Sequence, residues 1–536
     1  MVADTVNKFQ IEKTLHEEKR DIAEGRLKED NPLDITEDFR TFCEACRRGD
    51  LKVCQEKISE GVNINARDRY DYTPVILASL CGHFEILQLL LESGALCERD
   101  TFQGERALYN ALNDEIRNLL LSYDYSKSTD PLQPLAGHIT SLLIPKEDWP
   151  NTADITLHAY DASFPLHKFI LSVRSPYFAK KLAAAPETKS WKLAQTIPSQ
   201  SFETAIRYLY MGEIRANLGS GEEEQAILTG IDKLSKQLEI DRMFTGLVEG
   251  GDRRQARQRR QAEITRGQGQ LTNWFRESVL GNKVEVNTAS ADDVKWDRDN
   301  ALFADVLLRA DEDEEEEEDE EDAKEELNVR NTEGPLNGIP VGNFGVASRD
   351  TSRTRKPKRS VLYPAHKAML IRSEFFRAMF ASGMREAQET PHLQIISIDC
   401  SPDVLEVVLT FLYTEESKMS LELAVDVLFA ADLLFLEKLK HRAAVIISTL
   451  GNGATSVVES MNPRGEIEAE DVVNIYEVIR AGWDTRVRRL EEFGARFLAY
   501  RLERFIDEPE FAEIVKESAG RIQSRQETDT IELIDE

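Results

Sequence analysis

The sequence predicts a multidomain, α-rich α+β protein: a short solenoid of helical repeats, two copies of one α/β unit, and a C-terminal helical box. Three observations predict it. Gly49 and Gly61 recur 33 positions later as Gly82 and Gly94. The phrase FPLHKFILSVRSPYF (164–178) returns as YPAHKAMLIRSEFF (363–376). Residues 467–522 carry apolar side chains at helical period, with Val472, Val473, Tyr476 and Ile479 on one face and Phe493, Phe497, Leu498 and Leu502 on another.

With 536 residues the chain exceeds one hydrophobic core, and roughly two to four domains are expected. Apolar residues make up 41%, enough to fill such cores. No run of about twenty apolar residues exists, so no membrane span is expected. The opening MVADTVNKFQIEKTLHEEKR lacks the apolar centre of a signal peptide. Six cysteines make no disulfide framework, which points to a reducing compartment: the cytoplasm, with the nucleus also open. The net charge is −30, and residues 311–326, with fourteen acids and one lysine, supply −13 of it. This balance argues against nucleic acid as the main partner. The arginines at 253–266 and RTRKPKR at 353–359 are read as solvated linker rather than as nuclear-import or RNA patches.

The elements follow in order. Residues 1–37 form a charged N-terminal segment, and 38–127 hold repeat units at 38–68, 71–95 and 103–123. In DYTPVILASLCGHFEILQLLLESGA (71–95), Thr73-Pro74 opens a helix, because proline is tolerated where the amide has no helical acceptor. Gly82 and Gly94 stand where the chain must reverse. The period and wording resemble the ankyrin repeat. Each such unit buries one face against its neighbour, so about three is near the minimum for stability. Cys43-x-x-Cys46, with Cys54 and Cys81 nearby, reads as helix packing; no second CxxC or His pair suggests zinc. Neither metal nor cofactor is expected.

Residues 128–150 read as a linker. The first α/β unit spans 151–250: DITLHAY alternates as a strand, ASF turns, HKFILS is helical, SFETAIRYLYMGEI is helical, and 226–248 forms a pair of amphipathic helices. Residues 251–300 read as a basic linker. The second unit, 301–450, repeats the order: strand FADVLLRA, helix-turn-helix HKAMLIRSEFFRAMFAS, strand HLQIISI, a helix capped by Ser401, and final helices over 421–450. Asp154 to His167 is 13 residues, whereas Asp305 to His366 is 61. The difference is an insertion at 311–359 whose charge blocks are expected to stay solvated and disordered. Residues 451–466 read as a linker, and 467–536 as the helical box with an acidic tail.

The series Asp154, His167, Lys168, Ser175, Phe178, Tyr210 recurs as Asp305, His366, Lys367, Ser373, Phe376, Tyr413. It resembles the BTB/POZ domain. Ankyrin repeats, two BTB/POZ domains and a helical box together resemble the ankyrin repeat and BTB/POZ domain-containing protein 1 group, over most of residues 38–515. The resemblance implies that Asp154 with His167, and Asp305 with His366, lie close together in a structural polar cluster. The tyrosines are assigned no chemistry. There is no GxxxxGK[ST], HExxH or GxSxG motif, and no GxGxxG after a strand, so the chain reads as a non-enzyme.

The resemblance also implies a substrate-recognition adaptor of a cullin-3-type RING E3 ubiquitin ligase. The family's cullin-binding signature, a hydrophobic residue followed two positions later by Glu, matches Met384-Arg385-Glu386. A flexible thioether suits a hydrophobic surface, and a carboxylate accepts bonds that fix register. The first copy offers only Ala185-Pro186-Glu187 there. It is expected to pair with the second copy as an internal pseudo-dimer, a homodimer being the alternative pairing. The C-terminal helices resemble the BACK-like box that extends the cullin contact. A protein substrate of unknown identity is expected at the ankyrin loop tips, Arg67, Asp68, Tyr70, Arg99, Asp100 and Phe102, or in the ankyrin–BTB groove. The competing reading is a non-ligase scaffold or a transcriptional or signalling co-regulator, which does not need Met384 or Glu386.

Overall fold

Polar caps and left-handed glycines punctuate the first helices. In the structure, a computed structural model, α1 (Glu37–Arg48) is N-capped by the Thr36 hydroxyl and stops at Gly49, φ +87°. Helix α2 (Leu51–Ser59) is capped by Asp50. Helix α3 (Pro74–Cys81) is capped by Thr73 and stops at Gly82, φ +76°, before α4 (Phe84–Glu92). Helices α5 (Phe102–Tyr109) and α6 (Asp114–Ser122) complete the third pair. Phe39, Phe42, Cys46, Ile76, Leu87 and Ile116 are buried in one core of their own. The described residues are 20, 29–97, 102–123, 134–144, 149–159, 162–192, 196–212, 221–240, 243, 253–312, 359–382, 390–449 and 474–535.

The segment expected to be a linker before the first α/β unit contains α7 (Pro134–Ser141), whose Leu135, Ala136 and Ile139 are buried. Strands β1 (Ile155–His158) and β2 (Ser163–Leu166) pair antiparallel, so Ser163 and Phe164 of the expected ASF turn are strand instead. Helices α8 (Lys168–Arg174) and α9 (Pro176–Ala184) follow, then β3 (Ser190–Lys192), parallel to β1, and helices α10 (Ser199–Leu209) and α11 (Glu222–Gln237). The sheet order is β2-β1-β3. The expected helix pair at 226–248 is one helix as far as Gln237, with most of 241–250 outside the described residues.

Residues 251–300 are not a solvated linker. Helix α12 (Arg253–Ser278) buries Ile264, Leu271 and Phe275, spaced i, i+7, i+11, along one narrow stripe. Strand β4 (Val284–Asn287) then joins the second sheet at its edge, giving the order β4-β6-β5-β7 with β5 (Val306–Asp311), β6 (Arg359–Ala365) and β7 (Gln394–Ser397). Val294 and Trp296 pack with Leu307 and Leu362 over that sheet. The second unit continues with α13 (Lys367–Leu370), α14 (Glu374–Ala381), α15 (Pro402–Thr414), α16 (Leu421–Leu433) and α17 (Glu437–Ser448). The C-terminal box comprises α18 (Ile475–Asp484), α19 (Arg488–Tyr500), α20 (Leu502–Phe505) and α21 (Pro509–Asp535). Residues 313–358 and 450–473 lie outside the described residues, and with them most of the insertion and the linker expected at 451–466.

The two α/β units and the box share one continuous apolar core. At the seam, the Phe169 ring centroid lies 4.5 Å from that of His366, and Trp274 of α12 lies 5.8 Å from Phe169 and 5.2 Å from His366. Phe275 stacks on Tyr413 at 4.6 Å. His138 of α7 reaches across, with Nε2 2.7 Å from the Ala368 carbonyl. The units therefore pair within one chain, and α12 is the wedge between them.

Candidate functional site

The repeated polar residues build the same cluster twice. Asp154 Oδ1 accepts the Lys168 amide at 2.8 Å, and Asp305 Oδ1 accepts the Lys367 amide at 2.7 Å. Each aspartate thus caps the helix that starts after the histidine. The His167 amide donates to the Tyr210 hydroxyl at 2.8 Å, which lies 3.0 Å from Nδ1 of the same histidine. The His366 amide and Nδ1 meet the Tyr413 hydroxyl at 2.9 and 2.8 Å. The remaining ring nitrogens face Thr152 Oγ1 (2.8 Å) and the Leu302 carbonyl (2.9 Å). Ser175 and Ser373 cap α9 and α14, and their hydroxyls donate to the Leu238 and Leu434 carbonyls, both at 2.7 Å.

Burial sets the protonation states. It lowers His167 to about 3, with His366 adding repulsion, and lowers His366 to about 4. It raises Asp154 to about 6 and Asp305 to about 7, and pushes Tyr210 and Tyr413 up. Neutral imidazoles suit this arrangement: each tyrosine O–H accepts an amide and can donate to Nδ1. All ring atoms face protein, so the clusters are architecture. The tyrosines are the members that sequence reasoning left without a role. Their recurrence at the same helix end in both copies was the available signal.

The copies diverge on their surfaces. The shared serine contact aligns Leu238 with Leu434, and the left-handed residues Glu239 (φ +58°) and Phe435 (φ +52°) follow them. Equivalent exposed positions are then Lys233, Gln237 and Glu239 in the first copy, and Phe429, Leu433 and Phe435 in the second. Glu239 pairs with Lys180 at 3.0 Å. Phe429, Leu433 and Phe435 are 43%, 47% and 57% exposed along one side of α16 and its end. Comparing the copies position by position would have found this stripe in the sequence. Helix α14 is joined to the end of α16 through Ser373, and the expected cullin-binding residues Met384 and Glu386 lie outside the described residues.

At the ankyrin loop tips, Arg67 is engaged within the chain. Leu33 bridges it in parallel, its Nε donates to the Asn31 carbonyl at 2.9 Å, and its Nη1 pairs with Asp71 at 2.9 Å. Asp68 Oδ1 accepts the Tyr70 and Tyr72 amides, both at 2.8 Å. Two of the expected surface residues are therefore occupied in shaping the loop, and Tyr70, 62% exposed, remains open with Arg69 over its ring. Arg99, Asp100 and the Phe102 side chain lie outside the described residues. Cys43 and Cys46 are buried in α1, and Cys46 Sγ lies 3.7 Å from Cys54 Sγ. Among the described residues there is no group of three metal-ligating side chains and no helix long and apolar enough to cross a membrane.

Comparison with known proteins agrees with this architecture. The BTB/POZ domain family matches residues 146–246 and 358–449, and the family of ankyrin repeats (many copies) matches 42–91. The chain is 34% identical over 505 residues to BTB/POZ domain-containing protein 3 of Schizosaccharomyces pombe, covering 94% of this chain and 81% of that one. It is 29% identical over 522 residues to ankyrin repeat-containing protein YIL001W of Saccharomyces cerevisiae, covering 94% and 88%. Both domain families are protein-interaction modules, typically non-enzymatic. The chain belongs to the family of proteins that join ankyrin repeats to two BTB/POZ domains.

Proposed function

We propose that the protein is a substrate-recognition adaptor of a cullin-3-type RING E3 ubiquitin ligase. The second BTB domain holds the cullin through Met384, Glu386 and the α16 stripe, while ankyrin and BTB surfaces recruit a protein substrate. The observation that carries this reading is the asymmetry between copies: Phe429, Leu433 and Phe435 are apolar and exposed where Lys233, Gln237 and Glu239 are polar. Exposed apolar residues in a contiguous stripe favour a protein partner. Transfer chemistry belongs to partner enzymes, and the adaptor supplies proximity by raising the local concentration of substrate lysines. A cytoplasmic setting, with a nuclear share, accompanies the reading, since all six cysteines are free thiols.

The test is a titration of the full chain with the N-terminal domain of cullin-3, with Met384→Asp/Glu386→Lys and Phe429→Lys/Leu433→Lys alongside. Binding by the wild type that both double variants lose supports the reading. Wild-type binding that survives both variants moves the cullin site elsewhere. No binding by the wild type sinks the ligase reading and leaves a non-ligase scaffold.

A further inference from the structure

The ankyrin array and the rest of the molecule are packed separately. Among the described residues, the ankyrin core draws only on residues 39–123, and the core shared by the BTB domains and the box only on residues 135–514. The outer helices α2 and α4 of the array face α17 and the start of α19 across a cleft. Its walls do not close on each other. About 220 Å³ lies between them, lined by Leu51, Ile58 and Leu89 on the ankyrin side and by Val445 and Ile446 on the other. Apolar packing therefore contributes little to holding the array in place.

Charge takes over that role. The ankyrin wall contributes Glu85 and Glu92, and the facing side contributes Lys438, Arg442 and Arg489. Glu85 Oε1 lies 2.6 Å from Arg489 Nη1, an ion pair that joins the two bodies. That nitrogen is buried and has no aligned hydrogen bond, so the contact is one of charge. Arg489 Nε donates to Ser448 Oγ at 2.6 Å, which fixes the guanidinium to α17, whereas Glu85 is exposed. Burial lowers Lys438 and Arg442, and the Glu92 charge opposes that shift in both. Elsewhere, Gln258 of α12 donates to Asp30 Oδ1 at 2.7 Å. A part-exposed ion pair contributes little net stability and is screened by salt. An interface this polar makes relative motion of the two bodies the expectation.

We propose that the ankyrin array is a latched arm: the Glu85–Arg489 ion pair holds it docked against α17 and α19, and when the pair opens the array swings out as a folded unit. The array keeps its own core in both positions, so the motion breaks no helix packing within it. Docking turns Leu51, Ile58 and Leu89 toward the second BTB domain, and release presents them to solvent. The arm thus has one state in which its outer helices are covered and one in which a partner reaches them. This device is independent of the cullin reading.

The test is pulsed dipolar spectroscopy of the full chain, with spin labels at Ser93→Cys and Lys418→Cys beside the two walls. Cys81→Ser and Cys400→Ser remove the two native cysteines that are not fully buried. In about 0.1 M salt the labels are expected to sit mainly at one short separation. Raising the salt to about 1 M shrinks the screening length from about 10 Å to about 3 Å, and is expected to increase the long-separation share about fivefold. Glu85→Arg is expected to do at least as much at the lower salt, and Glu85→Arg/Arg489→Glu to restore the short separation. Circular dichroism is expected to stay unchanged throughout, which distinguishes swinging from unfolding. The proposal is overturned if the wild type and Glu85→Arg hold the same short separation at both salt levels. It is overturned as well if longer separations come only with loss of helical signal. A long-separation share that responds to neither salt nor the Glu85 charge also overturns it, because the arm would then have no latch.

Discussion

The Phe169 ring of the first BTB domain lies 4.5 Å, centroid to centroid, from the His366 imidazole of the second. Each ring comes from the residues that open the first helix of its unit, so the two copies meet at their most similar point. Phe169 is 2% exposed. Phe169→Ala is expected to lower stability by about 3–5 kcal/mol, the cost of emptying a buried aromatic site. A urea melt followed by tryptophan fluorescence reports this directly, since Trp274 lies against the same ring. A loss below about 1 kcal/mol would mean that the seam is not packed.

Tyr413→Phe keeps the ring and its stacking on Phe275 but removes the hydroxyl from the His366 amide and Nδ1. Two buried polar groups then lose their partner. The expected cost is about 1–3 kcal/mol for each orphaned group, less whatever a relaxed imidazole recovers. Chemical denaturation of the variant measures it, and Tyr210→Phe should behave alike because its geometry is the same.

The buried aspartates and histidines tilt stability with pH in opposite directions. Asp305 is raised from 3.8 to about 7, so between those values the folded state holds a proton that the unfolded state has released, and stability falls as pH rises. His366 is lowered from 6.5 to about 4, so between those values the unfolded state binds the extra proton, and stability rises with pH. Asp305→Asn retains an acceptor for the Lys367 amide and removes only the first slope. The variant is expected to gain on the wild type as pH climbs from about 4 to 7, with a constant advantage above that. Urea midpoints across this range decide it; a gap that shrinks with pH would contradict the protonation assigned to Asp305.

Gly82 and Gly94 both hold left-handed backbone, φ +76° and +95°. A Cβ at Gly82 would strike the Leu112 side chain, whereas nothing lies within 4 Å of one at Gly94. Gly94→Ala is expected to cost about 1–2 kcal/mol, the left-handed penalty alone. Gly82→Ala should cost about 2–4 kcal/mol, because overpacking adds to it. Thermal melts of the two variants give the order; equal losses would mean that Leu112 simply swings away.

Phe429→Lys gives the second copy the residue type that the first carries at Lys233. Phe429 is 43% exposed, so the effect on stability is expected to stay within about 0.5 kcal/mol. A melt showing a larger loss would assign Phe429 to the core rather than to a binding surface.

Much of this architecture is legible in the sequence because duplication writes it twice. The doubled His-Lys, Ser and Tyr positions give the two BTB domains, and the 33-residue glycine spacing gives the ankyrin units. Helix α12 was hidden because its buried apolar stripe is only Ile264, Leu271 and Phe275, set in a sequence dominated by arginines and glutamines. Gly267 reads as a helix breaker, yet a Cβ there would come within 3.0 Å of Arg174 Nη1 and Met211 Cε, so the glycine allows close approach. The engagement of Arg67 was invisible for another reason: its partner Asn31 lies 36 residues earlier, outside any local pattern.

The wedge formed by α12 has a consequence for mass action. Two BTB domains on separate chains would associate according to their concentration and could exchange partners. Here Trp274 and Phe275 belong to the same polypeptide that supplies Phe169, His366 and Tyr413. Dilution cannot part the pair, and a competing chain would have to exceed the local concentration that the shared polypeptide sets. The seam also leaves the outward faces unlike each other: away from it one copy carries lysine, glutamine and glutamate where the other exposes two phenylalanines and a leucine.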